Sequence, residues 1–348
     1  MDRHSLRIVY MGTPDFAVEP LRCLVEGGYN VVGVITMPDK PIGRHQTQLS
    51  CSPVKTYALS QGLRILQPER LKDETFVEQL RSLEADLQIV VAFRMLPEVV
   101  WQMPRLGTFN LHASLLPRYR GAAPINWAII NGDEETGITT FFLQHAIDTG
   151  HVIQQERVPI GPEDNAETIH DRLMHLGGRL VIETVDNILA DQVQPIPQEQ
   201  ITLPVADYQR QAPKIFKDTC RIDWEQPAQR THDLIRGLSP YPGAWSELEI
   251  GGRQQVLKIF RSRVVAGTTS HPVGTLFSAD GHLYVQQPDA LQELEEVQLS
   301  GKRRMPAADF LRGVRLALML VVLCVASILP TVAQRHPWVT FRYYRTIP

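Results

Sequence analysis

Apolar and polar positions along the first 190 residues follow the pattern of strands connected by helices. Short apolar runs bounded by glycine, proline or aspartate predict strands, and apolar residues at every third or fourth position predict helices. The run at 87–92 is almost continuously apolar, which is typical of a central parallel strand buried on both faces. Further strands are predicted at 6–11, 31–36, 64–67, 108–112, 137–143 and 152–159.

Helix signals separate these strands. Gly27 ends one predicted helix, and Ser52 and Asp73 are N-caps of the next two. Helices are predicted at 16–26, 124–130 and 166–189, the last with an interruption at 177–178. Two further helices are predicted between them, one that begins at Pro53 and one that follows Asp73 and ends at Leu83. Strands and helices that alternate with short connections predict a Rossmann-like, doubly wound and mostly parallel α/β sheet.

The pattern changes after residue 190. Gln and Pro dominate 191–206, which predicts a linker. Short strands separated by Gly, Pro and Asp, with one helix, then predict a small antiparallel OB-like β-barrel over 207–315. These strands are predicted at 221–224, 244–250, 256–265, 274–276 and 283–286, and the helix near 228–237. The chain is therefore divided into a catalytic domain at 1–190, the linker, the barrel and an atypical tail at 316–348.

The tail contains fourteen almost entirely apolar residues at 316–329. Fourteen residues are short for a helix that crosses a bilayer, which needs about 17–25. The segment is therefore a buried helix or strand, a membrane anchor, or a stretch foreign to the preceding domain that arose from a frameshift or a fused reading frame. We favour the third interpretation, and we expect no stable membrane association unless the tail is exposed.

The net charge of the chain argues against a protein that coats nucleic acid along its whole length. The net charge is −3, but residues 1–206 carry −8 and residues 207–315 carry +2. The second half can therefore contact a polyanion.

Four scattered cysteines without a Cys-x-x-Cys pair predict a reducing, cytoplasmic compartment and no metal site. The N-terminus has no signal-peptide pattern.

Asn110 and His112 end the strand predicted at 108–112, and their side chains share one face because strand residues alternate. The C-terminal end of such a strand is where an open α/β sheet binds its ligand. An amide can donate to a carbonyl oxygen that gains negative charge, and an imidazole can exchange a proton near neutral pH. A histidine at a strand end can equally be a purely structural residue.

Asp148 lies in an Ile-Asp-Thr-Gly turn that follows the strand at 137–143. The turn can bring a carboxylate to the same sheet edge, where it would fix the tautomer of His112 and stabilise its charged form. The alternative is an ordinary turn aspartate.

The turn at Gly12 follows the first strand but lacks the Gly-x-Gly-x-x-Gly pattern, so nucleotide binding is not expected there.

Two loops near these residues suit ligand binding. The segment Ser114, Leu115, Leu116 and Pro117 directly follows His112 and can wall the cleft, so that its backbone reads the edge of a flat heterocycle. Arg118 and Arg120 add positive charge at the rim or are solvated surface residues. The long polar loop at 38–48 presents Lys40 and Arg44, which can contact phosphates unless the loop is only a disordered excursion.

These motifs together resemble the methionyl-tRNA formyltransferase family over roughly residues 5–315. The motifs are GTPDF, PDKPIGR, SPVK, NLHASLLPRYRGAAPINWAI, IDTG, RIDW and GAW. The set Asn-x-His, SLLP and Asp-Thr-Gly alone marks the wider superfamily of folate-dependent formyltransferases, whereas PDKPIGR, RGAAPIN and RIDW favour the tRNA enzyme.

The resemblance implies the formyltransferase fold and an enzyme that transfers a formyl group from 10-formyltetrahydrofolate to methionyl initiator tRNA in translation initiation. It implies catalytic roles for Asn110, His112 and Asp148, and a folate site along 114–117. It also implies that the loop at 38–52, with Lys40 and Arg44, and the barrel bind the tRNA. We expect a monomer that needs no metal and does not bind DNA. The alternatives are a formyltransferase for a small amine, such as an amino-sugar nucleotide, and a non-catalytic RNA-binding protein.

Overall fold

The structure is a computed structural model that describes residues 2–42, 48–204, 207, 210–250 and 253–313. Arg44 and the apolar tail at 316–348 lie outside these residues. The described chain forms two compact units. The first comprises Met1–Ile125, Glu134–Ile160 and Thr168–Pro213, and the second comprises Asn126–Asp133, Gly161–Glu167 and the chain from Lys214 onward. The last segment of the first unit ends at Pro213, and the division into catalytic domain, linker and barrel stays a prediction.

A seven-stranded sheet is the centre of the first unit, with the strand order β10-β9-β7-β6-β1-β2-β5. Its strands are β1 (Arg7–Gly12), β2 (Asn30–Ile35), β5 (Ile65–Leu66), β6 (Leu87–Val91), β7 (Thr108–His112), β9 (Glu135–Phe142) and β10 (Val152–Pro159). The five strands from β5 to β7 are parallel, and β9 and β10 are antiparallel to their neighbours. The predicted doubly wound, mostly parallel sheet is confirmed.

Helices cover both faces of this sheet. They are α1 (Val18–Glu26), α2 (Pro53–Ser60), α3 (Glu74–Arg81), α4 (Glu98–Trp101) and α6 (Ala166–Leu189), whereas α5 (Pro124–Ile130) lies largely in the second unit. The side chains of Ser52 and Asp73 accept hydrogen bonds from backbone amides three residues later, at 3.1 and 3.2 Å, as expected of N-caps. On one face, Met11 and Val90 pack with Phe76 and Leu80 of α3.

Helix α6 runs through Gly177 and Gly178 without the interruption that the sequence predicts. A Cβ on Gly177 would lie 2.7 Å from Leu111 Cδ2, and a Cβ on Gly178 would lie 2.8 Å from Cys23 Sγ. The two glycines therefore allow the helix to approach β7 and α1 closely, and this packing outweighs their low helix propensity. Leu111 lies between Asn110 and His112 and faces the opposite side of the sheet.

Two short strand pairs complete the first unit. The predicted polar loop contains a hairpin, in which β3 (Lys40–Ile42) pairs with β4 (Gln48–Ser50). The other pair joins β8 (Arg120–Gly121) to β11 (Gln211–Ala212) in parallel. The segment predicted as a linker, 191–206, bonds to the first unit through an isolated bridge between Ile196 and Val152. The side chain of Gln198 from this segment is fully buried.

The second unit is an antiparallel half-barrel, which agrees with the predicted small barrel. Its strand order is β12-β13-β16-β15-β14, and β17 pairs with β16. The strands are β12 (Ala244–Ile250), β13 (Arg253–Val265), β14 (Leu276–Ala279), β15 (His282–Gln286), β16 (Leu291–Leu299) and β17 (Met305–Pro306), with helices α7 (Ala228–Gly237) and α8 (Ala307–Gly313). Leu257, Val285, Leu294 and Trp224 are core residues. The strand predicted at 221–224 is only a bridge from Arg221 to Trp245.

Strand β16 has no counterpart among the predicted strands, although it pairs with three others. Its sequence, LQELEEVQL, is rich in Glu and Gln, which are depleted in strands. Several of these buried polar groups have partners from neighbouring strands, although Gln292 Oε1 has none among the described residues. Glu293 Oε2 accepts a hydrogen bond of 2.5 Å from Arg263 Nη2, and Oε1 lies 2.6 Å from His282 Nδ1. Gln292 donates to Ser262 Oγ at 2.7 Å.

Within the described residues, no helix combines the length and the apolarity needed to cross a membrane.

We predict that Glu293→Gln lowers the free energy of unfolding at pH 7 by about 1–3 kcal/mol, because the buried side chain loses its charge-assisted hydrogen bonds with the half-exposed Arg263 and His282. Burial raises the pKa of the Glu293 carboxyl, but hydrogen bonds from Arg263 and His282 outweigh burial and lower it overall. A lowered pKa stabilises the fold above the unfolded value of about 4.3, and this stabilisation is lost as the pH falls through the folded value.

The measurement is urea unfolding of the full chain at pH 7 and below pH 4, followed by tryptophan fluorescence. The difference between wild type and Glu293→Gln should shrink at the lower pH. Glu296→Gln is the control, since its ion pair with Arg304 is half-exposed and should contribute about 0–1 kcal/mol. A difference that stays constant with pH would contradict the role of the Glu293 charge.

Candidate functional site

Strand β7 places the first two candidate residues at the C-terminal edge of the parallel sheet. Asn110 is paired with Val90 of β6 and Phe141 of β9, and His112 is paired with Thr139. The two side chains share one face, because they are separated by one residue of a regular strand. The face behind them is filled by Leu111 against Gly177 of α6. Close packing behind β7 thus fixes the strand that carries both polar groups.

The amide of Asn110 has donors available. The residue is half-buried, and its side chain makes no hydrogen bond with any residue that the structure describes. An amide N–H group near a reacting carbonyl can stabilise negative charge on the oxygen. The position is therefore suited to a ligand that supplies the missing partner.

The imidazole of His112 is buried, with 7% of the residue exposed. Its Nε2 lies 2.9 Å from the carbonyl oxygen of Tyr119. A carbonyl oxygen can only accept, so Nε2 carries a proton in both the neutral and the charged imidazole. The Phe141 ring packs edge-on against the imidazole, at 6.5 Å between centroids. The neutral form consequently leaves the lone pair on Nδ1, the nitrogen that faces Asp148.

The carbonyl that orients His112 is itself held. Tyr119 has a positive φ of 59°, an uncommon conformation for a residue other than glycine. Its amide donates to the Arg210 carbonyl oxygen at 2.7 Å, and Arg210 Nη1 donates to Tyr119 Oη at 3.0 Å. Residues just before β11 thus fix the turn after β7.

The carboxylate of Asp148 reaches the imidazole. Its Oδ2 lies 4.0 Å from His112 Nδ1, and both side chains are largely buried. The same Oδ2 accepts a hydrogen bond of 3.0 Å from the amide of Gly121. Only glycine suits position 121, because φ is +124° and a Cβ would lie 2.5 Å from the Ala212 carbonyl oxygen. Asp148 Oδ1 has no hydrogen bond with the described residues and is available to a ligand.

The three candidate residues therefore occupy one sheet edge, with His112 and Asp148 within ion-pair distance and Asn110 on the same face of β7. A separation of 4.0 Å exceeds a hydrogen bond, although such contacts often tighten only when substrate binds. The arrangement offers a donor, a proton-exchanging ring and a carboxylate to one reacting group. Which role each residue has stays a prediction.

The predicted ligand wall at Ser114, Leu115, Leu116 and Pro117 is entirely buried. Its polar groups already have partners inside the unit. Ser114 Oγ donates to the Arg118 carbonyl oxygen at 2.7 Å, and the Leu116 amide donates to Thr139 Oγ1 at 3.2 Å. The Leu116 carbonyl oxygen accepts from Gln155 at 2.8 Å. The segment is thus built as a rigid support beside His112, and direct folate contacts from it stay a prediction.

The two arginines after this segment are not free rim charges. Arg118 pairs with Glu135 at 3.3 Å and with Asp207 at 3.9 Å. Arg120 donates two hydrogen bonds to the Gln198 side chain, at 3.1 and 2.6 Å. Both guanidinium groups are therefore structural in this conformation.

The segment after β6 also lies at this edge, although the sequence analysis names no candidate residue in it. The chain order reverses between β1 and β6, and ligands of open α/β sheets bind at such a switch point. Ala92 has a positive φ of 46°, and the apolar side chain of Met95 is 70% exposed. Arg94 fixes the segment by donating to the Glu69 carbonyl oxygen at 2.7 Å. The apolar pattern of the strand at 87–91 could have indicated this segment, because the residues after a parallel strand lie at the edge of the sheet that binds ligands.

Lys40 begins the β3–β4 hairpin and is exposed. Its side-chain ammonium makes no hydrogen bond or ion pair with the described residues. The base of the hairpin is anchored beside it. Asp39 forms an ion pair of 2.5 Å with Lys55 and accepts from Gln67 at 2.9 Å. Hydrogen bonding to Lys55 and then to Gln67 lowers the pKa of the Asp39 carboxyl, so it stays charged. The hairpin thus presents a free cation from a fixed base.

Comparison with known families identifies both units. Residues 6–185 match the family described as formyl transferase, and residues 214–315 match the formyl transferase C-terminal domain. The matched region ends just before the apolar segment at 316–329.

Curated relatives match this chain over about nine tenths of its length. A methionyl-tRNA formyltransferase from Bacteroides thetaiotaomicron is 64% identical over 321 residues, which cover 91% of this chain and 98% of the relative. One from Parabacteroides distasonis is 61% identical over 315 residues, or 90% of this chain and 97% of the relative. Among solved structures, WlaRD, a sugar 3N-formyl transferase studied with dTDP and 5-N-formyl-THF, superimposes with a TM-score of 0.61. It covers 86% of this chain and 100% of its own, but at 19% identity it shows the fold alone.

We predict that neutral His112 carries its proton on Nε2, because that nitrogen faces only the carbonyl oxygen of Tyr119. Nitrogen-15 spectra of the imidazoles at high pH should show a protonated Nε2 and an unprotonated Nδ1 for this residue. Exposed His4 is the control, since its ring makes no hydrogen bond with the described residues, and it should show a mixture of tautomers. A proton found on Nδ1 of neutral His112 would contradict the assignment.

Proposed function

The chain belongs to the methionyl-tRNA formyltransferase family of formyl transferases, and we propose that it transfers the formyl group of 10-formyltetrahydrofolate to the α-amino group of methionyl initiator tRNA. The observation that carries the proposal is 64% identity to a curated methionyl-tRNA formyltransferase across nearly the whole length of both chains. The family resemblance drawn from the sequence motifs is thereby confirmed. The protein is an enzyme of formyl transfer that serves translation initiation.

The two alternative functions are not favoured. The sugar formyltransferase with the same fold is 19% identical, which says nothing about a shared amine substrate. A non-catalytic RNA-binding protein would not need the buried pair of His112 and Asp148, whose separation is 4.0 Å. Desolvated polar groups of this kind are costly unless they serve a purpose.

The chemistry is the transfer of a one-carbon acyl group between two nitrogens. At neutral pH a useful fraction of an α-amine is unprotonated and can attack the formyl carbon. The new carbon–nitrogen bond forms, and the carbonyl oxygen becomes negatively charged. The bond from the formyl carbon to folate nitrogen N10 then breaks. The amine loses one proton and N10 gains one, so the reaction consumes no net acid or base.

Asn110 is placed to stabilise the oxyanion. Its side chain has no hydrogen-bond partner among the described residues, so no protein contact must break before it donates. One such donor typically contributes about 3 kcal/mol to the transition state.

His112 and Asp148 are placed to move the proton. Asp148 Oδ1, which is without a partner in the described chain, can accept the proton from the attacking amine directly or through a water. Charged His112 has its Nε2 proton committed to Tyr119, so Nδ1–H is the one available to the oxyanion or to the leaving nitrogen. The carboxylate of Asp148 lies 4.0 Å from that nitrogen.

We place the folate co-substrate at the C-terminal edge of β1, β6 and β7, beside the point between β1 and β6 where the sheet order reverses. The exposed Met95 supplies apolar surface for a flat ring, and the rigid 114–117 segment supports His112 from behind. This placement and the catalytic roles are proposals that rest on geometry.

Two features support the tRNA as the second substrate. In the first unit, Lys40 presents a free ammonium on the anchored hairpin, and Arg44 follows it in the chain. In the second unit, the ammonium of Lys214 lies 5.7 Å from the ring of Phe216, which is 63% exposed. An exposed aromatic ring beside a cation is suited to single-stranded RNA, whose bases can stack and whose phosphates need positive charge.

The direct test is transfer of labelled formyl from 10-formyltetrahydrofolate to charged initiator tRNA, with uncharged tRNA as control. Amino-sugar nucleotides form the second arm. Labelling of the charged tRNA alone supports the proposal. Labelling of the amino sugars alone would assign the chain to the small-amine alternative, and labelling of neither would favour the RNA-binding alternative.

We predict that Asn110→Ala and His112→Ala each lower kcat by about 100-fold or more, because each removes a group that acts on developing charge. The fold should persist in both variants, as judged by circular dichroism. His175→Ala is the control, since this exposed imidazole lies on α6, which covers the other face of the sheet. Losses under tenfold in both variants would remove the catalytic assignment.

We also predict that Lys40→Ala and Arg44→Ala raise the KM for charged tRNA and leave the KM for the folate unchanged. Each loss of a phosphate contact should reduce the salt dependence of tRNA binding by about one unit of slope. Arg81→Ala is the matched control, because Arg81 is an exposed cation at the C-terminal end of α3, next to the opposite sheet edge. Equal changes in both KM values would mean that the hairpin is only structural.

A further inference from the structure

We infer that Gln198 is a positioning residue that holds the Asp148 turn and the Gly121 amide in register with His112. The inference deepens the proposed function and rests on it. Gln198 comes from the segment that the sequence predicts as a linker, and its side chain is fully buried.

All four polar contacts of the Gln198 amide are directed at the site. Its Nε2 donates to the carbonyl oxygens of Asp148 and Gly150, at 2.9 and 2.7 Å. Its Oε1 accepts from Arg120 Nε at 3.1 Å and Nη2 at 2.6 Å. Carbonyls only accept and a guanidinium only donates, so the amide can occupy this position in only one orientation.

These contacts close a ring of interactions around the carboxylate. The ring runs from the Asp148 carbonyl to Gln198, from Gln198 to Arg120, and along the chain to Gly121. The Gly121 amide then donates back to Asp148 Oδ2 at 3.0 Å. One side chain therefore fixes both the backbone that carries the carboxylate and the strand that binds it.

The turn needs this support because its backbone is in an uncommon conformation. Asp148 has a positive φ of 53°, which persists only when surrounding contacts determine it. The segment that carries Gln198 is itself fixed. Ile196 and Val152 exchange two backbone hydrogen bonds, both of 2.8 Å, two residues before the glutamine.

Loss of the Gln198 amide should let the Asp148 carboxylate move relative to His112 Nδ1. A misplacement of about 1 Å in a catalytic group can cost about 100-fold in rate. Gln198 is fully buried, so we expect no contact between it and either substrate. The KM values of both substrates should therefore stay unchanged when the amide is removed. A defect in kcat without a defect in KM is therefore the expected signature.

The test is a double-mutant cycle between Gln198→Met and Asp148→Asn, since methionine keeps the length of the side chain but cannot make these hydrogen bonds. In the wild-type background, Gln198→Met should lower kcat by about 10- to 100-fold. In the Asp148→Asn background it should change kcat by no more than about twofold, because the group it positions is already gone. Equal losses in both backgrounds would show a general structural effect and overturn the inference.

Gln88→Met is the matched control. Gln88 is fully buried in β6 of the same unit, and its side-chain oxygen accepts only from Thr108, at 3.1 Å. It removes a buried amide whose Nε2 has no partner among the described residues and which does not contact the site, so it should leave kcat within about twofold of wild type. A kcat loss in Gln88→Met as large as that in Gln198→Met would also overturn the inference.

Hydrogen exchange of the Gly121 amide gives a readout that needs no activity. This amide should be protected in wild type and Gln88→Met, and should lose protection in Gln198→Met, because the carboxylate that accepts from it is released. Unchanged protection in Gln198→Met would contradict the inference. If wild type transferred no formyl group, the proposed function would fail, while the Gly121 result would still decide whether Gln198 holds the turn.

Discussion

The hydrogen bond between His112 Nε2 and the Tyr119 carbonyl is the interaction on which the rest of the site depends. It settles which nitrogen of the imidazole is free, and it turns Nδ1 toward Asp148. Without it the ring could present either nitrogen, and the carboxylate at 4.0 Å would have no defined partner. The fold secures this bond from two sides. Packing of α6 fixes the strand that carries His112, and Arg210 fixes the turn that carries the carbonyl.

Part of this site could be predicted from the sequence because the relevant signals are local. Strands β7 and β10 have the predicted bounds, since each is a continuous pattern between clear turn residues. Period-two alternation alone places Asn110 and His112 on one face. The carboxyl end of a parallel strand as a ligand edge is a property of the fold class, so it follows once the class is known.

The remainder could not be predicted because it depends on partners distant in the sequence. Gln198 lies in a stretch of Gln and Pro whose composition is typical of a linker, and only its contacts with Arg120 and the Asp148 turn reveal burial. The polarity of β16 hid a strand that pairs with three others, and partners from other strands, namely Arg263, His282 and Ser262, bind its buried Glu293 carboxylate and Gln292 Nε2. At 114–117 the sequence does not reveal the internal hydrogen bonds that the backbone makes with Thr139 and Gln155, and the predicted folate contacts of this segment stay a prediction.

These cases share a physical cause that also explains how the site is divided. Groups that must be rigid have their hydrogen bonds completed within the protein, as the 114–117 backbone, Arg118 and Arg120 do. Groups that would act on substrate, namely Asn110, Asp148 Oδ1 and Lys40, are without partners among the described residues. An unpaired polar group is tolerated where a ligand or water can complete it, and it costs stability elsewhere. At this edge of the sheet, polar groups with protein partners are therefore assigned to structure, and polar groups without such partners are assigned to substrate binding or catalysis. This assignment rests on the structure alone and not on any relative.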